Sequence, residues 1–111
     1  MDNPKQAYGD AKPGLHYLPM EVLLEVAGVM KGGAAKYGVR NWREQPIKTS
    51  TYYDAMLRHL IAWYEQGESK DKESNRLHLA HVIASAMILI DADIFDSLID
   101  DRKLTEALGG K

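Results

Sequence analysis

Apolar residues recur at helical spacing over most of the chain. Val22, Leu23, Val26, Val29 and Met30 fall on one face of a helix predicted over 20–31. Leu18-Pro19 supplies its start, because proline is tolerated in a first helical turn. Gly32-Gly33 predicts an interruption, followed by a short helical turn at 34–37 that Gly38 closes. Residues 39–49 contain Pro46 and show no period, so they read as a loop. Thr49, Ser50 and Thr51 are cap candidates for a helix over 51–66, with Ala55, Met56, Leu57, Leu60, Ile61 and Tyr64 as its stripe. Gly67 ends it, and a charged connector runs over 68–73. Ser74-Asn75 then predicts the start of a long helix over 75–97, apolar almost all round between 79 and 90 and therefore covered on several sides. A last short helix is expected over 100–108, while residues 1–18, with Pro4, Gly9, Pro13 and Gly14, read as an irregular arm. No stretch alternates with the period of a strand. The expectation is one all-α domain over 1–111, a helical bundle.

Composition narrows this. With 45% hydrophobic and 27% charged residues, the 111-residue chain is too apolar for disorder. A chain of this size covers only about two thirds of its unfolded surface, so the apolar 79–90 segment predicts a homodimer or homotetramer. Fourteen Lys+Arg against sixteen Asp+Glu leave a formal charge of -2, which argues against coating a nucleic-acid polymer but not against a local basic patch. The absence of cysteine excludes disulfides, zinc–thiolate sites and a cysteine nucleophile. Met-Asp-Asn-Pro-Lys-Gln at the start lacks the apolar core of a signal peptide, and the longest apolar run, 82–90, is interrupted by Ser85 and far too short to cross a membrane. A cytoplasmic protein without a membrane partner is expected.

Three groups of residues carry candidate chemistry. Ser74, His78, His81 and Ser85 form a polar stripe on the most apolar helix, and buried imidazoles need partners. They suit either satisfied core histidines or a pair acting together on a metal or a phosphate. Glu65, Glu68, Asp71 and Glu73 cluster at the mouth between two helices, one bearing Arg58 and His59, the other His78 and His81. A solvated turn has such a composition too, but thiol-free carboxylates also suit Mg²⁺ or Mn²⁺. Glu21 and Glu25, at i and i+4, repel slightly; Glu21 reads as a solvated face, whereas Glu25 lies among apolar neighbours. The third group is Gly32 to Trp42. Its glycines let backbone approach a phosphate, Lys36 and Arg40 can neutralise one, Tyr37 or Trp42 can stack on a base and Asn41 can read its edge. A helix–helix corner with packed aromatics would look the same. The Gly-Lys-Ser/Thr ending of a P-loop is missing.

In order along the chain, Leu18-Pro19, Glu25-Val26-Ala27, Gly33 through Trp42, Arg58-His59-Leu60 with Ala62-Trp63, Gly67-Glu68 with Asp71, Glu73 and Ser74, and His78-Leu79-Ala80-His81 resemble the phage-associated dATP/dGTP diphosphohydrolases, which are similar to the all-α MazG-like pyrophosphohydrolases. The resemblance covers about residues 9–91. It implies a metal-dependent reaction in which a purine deoxynucleoside triphosphate and water give the monophosphate and diphosphate. In phages that replace adenine with 2-aminoadenine, such an enzyme would supply dGMP. There are two departures from the pattern: Asn75 replaces a usual glycine, and His78 and His81 stand where the broader MazG-like pattern has its second acidic pair. On this reading Glu68, Asp71, His78 and His81 carry catalysis. Mg²⁺ or Mn²⁺ would be held by carboxylates drawn from Glu25, Glu65, Glu68, Asp71 and Glu73. Lys36, Tyr37, Arg40, Asn41, Trp42, Arg58 and His59 would meet the substrate. The rival reading is a non-catalytic helical module whose apolar helix binds a partner; it leaves the polar stripe and the carboxylates without a role.

Overall fold

A helix over His78–Ile94 is the element on which the rest is built. The computed structural model describes residues 3–103. Among these, four α-helices, α1 (Pro4–Asp10), α2 (Met20–Tyr37), α3 (Thr49–Tyr64) and α4 (His78–Ile94), account for most of the ordered backbone, as an all-α reading requires. Both long partners, α2 and α3, lie against α4. Small residues on α4 make the approach possible: Ala80 and Ala84 are buried under Val26 of α2, with Val29, Met30 and Leu77 around them. Burying a side chain the size of Val26 contributes roughly 1.5–3 kcal/mol.

Several expected boundaries move, each for a local reason. Helix α2 runs straight through Gly32-Gly33 and stops at Gly38, whose φ of 98° is left-handed. Two glycines cost a helix about 2 kcal/mol relative to alanine, less than the packing of Val26, Val29 and Met30 just before them supplies. The arm over 1–18 contains α1, which Asn3 caps by accepting from the Lys5 amide at 2.8 Å, followed by a 3₁₀ turn at Leu15–Tyr17. The 39–49 segment is not all loop: it holds a 3₁₀ turn, Asn41–Arg43, and the strand β1, Ile47–Lys48. That strand pairs in parallel with β2, Leu98–Ile99, in register Ile47 to Leu98. Two residues are too few to show a strand period, so this ladder left no pattern in the sequence.

Helix α4 begins three residues later than Ser74-Asn75 suggested. Asn75 sits at φ 58°, a left-handed conformation that asparagine tolerates, so the chain reverses there instead of entering the helix. The backbone amide of His78 is satisfied by the Ser69 carbonyl at 2.9 Å. At the other end Asp96, φ 55°, stops α4 before residue 97. Residues 100–103 are not helical, and the remainder of the helix expected over 100–108 lies outside the described residues. The apolar surface of α4 is only partly covered. Leu79, Ile83, Met87, Ile90 and Ile94 form an exposed row, and Leu57, Leu60, Ile61 and Tyr64 of α3 are also exposed. No helix among the described residues is long and apolar enough to cross a membrane.

Candidate active site

The turn between α3 and α4 and the first turns of α4 bring the expected catalytic residues together. Asp71 closes a tight turn: its Oδ2 accepts from the Ser74 amide at 3.1 Å and from the Ser74 hydroxyl at 3.0 Å. Because the carboxylate can only accept, the Ser74 proton is committed to it, and Ser74 Oγ accepts from His81 Nε2 at 2.7 Å. The network thus places the His81 proton on Nε2 and leaves Nδ1 a free acceptor in the neutral ring. Asp71 Oδ2 itself lies 3.8 Å from His81 Nε2.

His59, reaching over from α3, joins the two α4 histidines. Its ring stacks on His81 with centroids 4.3 Å apart and planes within 5°, and its Nδ1 lies 2.9 Å from His78 Nδ1. His78 is 4% exposed, and its Nε2 lies 3.3 Å from Glu68 Oε1, an acceptor that places the His78 proton on Nε2. His59 then donates from Nδ1 to His78. Burial lowers the pKa of His59, helped by the neighbouring charges of His81 and His78. It lowers that of His81 as well, against the pull of Asp71. For Asp71, burial works upward, but the hydrogen bonds from Ser74 and the charges of His81 and His59 outweigh it and hold the carboxyl low.

These directions fix a pH dependence. His59 and His81 have folded pKa values below their ordinary 6.5, so between the two values the unfolded chain binds more protons than the folded one. Stability is therefore complete above that ordinary value and falls as the pH drops through it. Thermal melts over roughly pH 5–8 should show Tm falling toward acid, with a flatter profile for His59→Asn. A wild-type Tm independent of pH would show that burial does not penalise the charged rings.

A groove of about 890 Å³ opens beside this network, a size that suits a nucleotide-scale ligand. Lys36 and Tyr37 border it from the end of α2 and Arg40, Asn41 and Trp42 from the turn that follows, while Glu73, Ser74 and His81 border it from the other side. Asp71, His59, His78 and Glu68 stand behind Ser74 and His81 instead of in the wall. Arg58 is exposed on α3 and does not border the groove, and His59 supports His81 without facing it. Lys36 is paired with Glu73 at 3.2 Å. Trp42 is 7% exposed, and its Nε1 donates to Asp91 at 2.7 Å, an anchoring that the expectation of a base-stacking ring did not include. Arg43 donates twice to the same carboxylate, whose pKa these bonds bring down to about 2.

The carboxylates do not gather as a ligand set. Glu25 and Glu65 take no part in the network, Glu73 is bound to Lys36, and Glu68 and Asp71 each carry a histidine. Among the described residues, no group of three or more His, Asp or Glu is arranged to hold a metal ion. A preformed dication cage does not fit these residues. Three residues of the site were missed from sequence: Asp91, Tyr52 on the groove wall, and Arg76. Gly28, in a helical pattern where alanine would be about 1 kcal/mol better, was a usable signal for the last of these.

The family model described as dATP/dGTP diphosphohydrolase, N-terminal, matches residues 2–102. A curated dATP/dGTP diphosphohydrolase of Salmonella phage PMBT28 is 33% identical over 86 residues, 78% of this chain. The chain spans 29% of the length of that relative. No solved structure gives a significant match.

Proposed function

The chain belongs to the dATP/dGTP diphosphohydrolase N-terminal family, and we propose that it hydrolyses purine deoxynucleoside triphosphates between the α- and β-phosphates. The observation that carries this reading is the shared groove: a cationic, aromatic turn with Lys36, Tyr37, Arg40 and Asn41 faces a hydrogen-bonded Asp71–Ser74–His81 chain. Exposed Tyr37 and half-buried Asn41 have the chemistry to hold a base, and Lys36 and Arg40 to meet phosphate charge. Neutral His81 has a free Nδ1, the position from which a general base takes a proton from water. The water oxygen attacks the α-phosphorus, the bond to the α–β bridging oxygen breaks, and diphosphate leaves with that electron pair. The imidazolium formed is stabilised by Asp71 through Ser74.

A divalent cation belongs to this proposal as a companion of the nucleotide. Mg²⁺ is commonly held by one or two carboxylates plus substrate phosphates; Glu73, the expected carboxylate that borders the groove, is the candidate here, and the ion would offset phosphate charge and lower the pKa of a bound water. In a phage using 2-aminoadenine, the dGMP formed would feed that synthesis. Incubation with dGTP and Mg²⁺ or Mn²⁺, followed by separation of products, tests the reading. Formation of dGMP and diphosphate supports it. Unchanged dGTP, or dGDP with phosphate, overturns it.

Self-association is part of the same proposal, carried by the exposed row Leu79, Ile83, Met87, Ile90 and Ile94. Light scattering at micromolar concentration should give at least twice the 12.5 kDa of one chain, and a clean monomer would defeat it.

A further inference from the structure

We infer that Arg76 is a phosphate-binding residue of the groove, held in place by the bare backbone of α2 at Gly28. The inference rests on the nucleotide reading above. Arg76 stands between the Asp71 turn and α4, and its backbone is fixed twice: its carbonyl accepts from the Asp71 amide at 2.8 Å, and its amide donates to Ser74 Oγ at 3.2 Å. The same Ser74 oxygen accepts from His81, so the position of Arg76 is tied to that of the proposed base.

From this anchor the side chain reaches across to α2. A Cβ built on Gly28 would lie 2.5 Å from both Cζ and Nη1 of Arg76 and 2.9 Å from Nη2. The guanidinium therefore occupies the space in which any other residue would place its side chain. Gly28 and Arg76 both border the groove. Lys36, another cation on the wall, is already bound to Glu73. Among the described residues, Arg76 has no ion pair and no side-chain hydrogen bond. Glu73, the carboxylate that borders the groove, is paired with Lys36, so the Arg76 guanidinium keeps its planar fork of donors for a ligand, and phosphate oxygens match that fork. A purely structural brace between the connector and α2 would not need the groove, because the backbone of Arg76 is already fixed.

The test separates seat, side chain and chemistry. Binding of dGTP, and of deoxyguanosine as a phosphate-free control, is measured by calorimetry for wild type, Arg76→Ala, Gly28→Ala and the double variant, alongside Tm. Arg76→Ala should weaken dGTP about tenfold or more and leave deoxyguanosine unchanged. Gly28→Ala should weaken dGTP comparably while Tm holds or rises, since alanine favours a helix interior and the atoms it meets are the end of one flexible side chain. Added to Arg76→Ala, it should do nothing further to affinity. Equal dGTP affinity in wild type and Arg76→Ala overturns the inference whether or not dGTP is hydrolysed. So does a Gly28→Ala effect that persists in full without Arg76. An affinity difference with no hydrolysis by wild type overturns the proposed reaction and leaves the phosphate residue standing.

Discussion

Asp71→Asn should lower kcat by at least about 100-fold while leaving helicity intact. Asp71 lies in the connector and contributes to no helix, so circular dichroism has no reason to change. The asparagine oxygen can still accept from the Ser74 amide at the place where Oδ2 now does, at 3.1 Å. The negative charge is what disappears. Asp71 forces the Ser74 proton toward itself, so that Ser74 accepts from His81 Nε2 and leaves Nδ1 free. An amide presents donors as well as an acceptor, so this ordering is no longer enforced, and the imidazolium loses the anion 3.8 Å away. Loss in kcat with a nearly unchanged KM is the expected split, because the missing interaction strengthens only as His81 gains charge. Wild-type turnover at saturating substrate and metal would remove Asp71 from the mechanism.

The residues of this network were legible in the sequence as types but not as partners. His78 and His81 stood out because two imidazoles on an apolar helix require satisfaction, and the structure supplies it through Glu68, His59 and Ser74. That His59 would be the one to stack on His81 was not legible, since it depends on how α3 lies against α4. The helices themselves were visible in their apolar period, which is why Met20, Thr49 and Ile94 fall close to the expected ends. What failed was punctuation. Gly32-Gly33 read as a break because propensity was weighed without the packed face on α4, and Ser74 read as a helix cap although its hydroxyl already serves the Arg76 amide and His81. The metal expectation counted nearby carboxylates along the chain; folding gives most of them other partners, among them Lys36 for Glu73 and His78 for Glu68.

Trp42→Ala should cost about 3–5 kcal/mol of stability, the range for emptying a buried aromatic site. Trp42 belongs to a 3₁₀ turn of three residues, too short to hold itself, and the turn is fastened to α4 through Asp91. The carboxylate receives Trp42 Nε1 at 2.7 Å and both Arg43 Nε and Nη2 at 2.8 Å, while the Arg43 guanidinium lies 3.7 Å above the centre of the Phe95 ring. Removing the indole deletes the buried contact and one of these three bonds, so Tm should fall by roughly 12 °C or more for a domain of this size. Trp42→Phe keeps most of the volume and loses only the N–H, so it should fall between alanine and wild type. Below its melting temperature, Trp42→Ala should still bind dGTP, because Tyr37 and Asn41 on the groove wall supply the contacts proposed for the base. A variant with wild-type Tm and a KM raised equally for every nucleotide would reverse the assignment and make the indole the stacking surface, since stacking is indifferent to base identity.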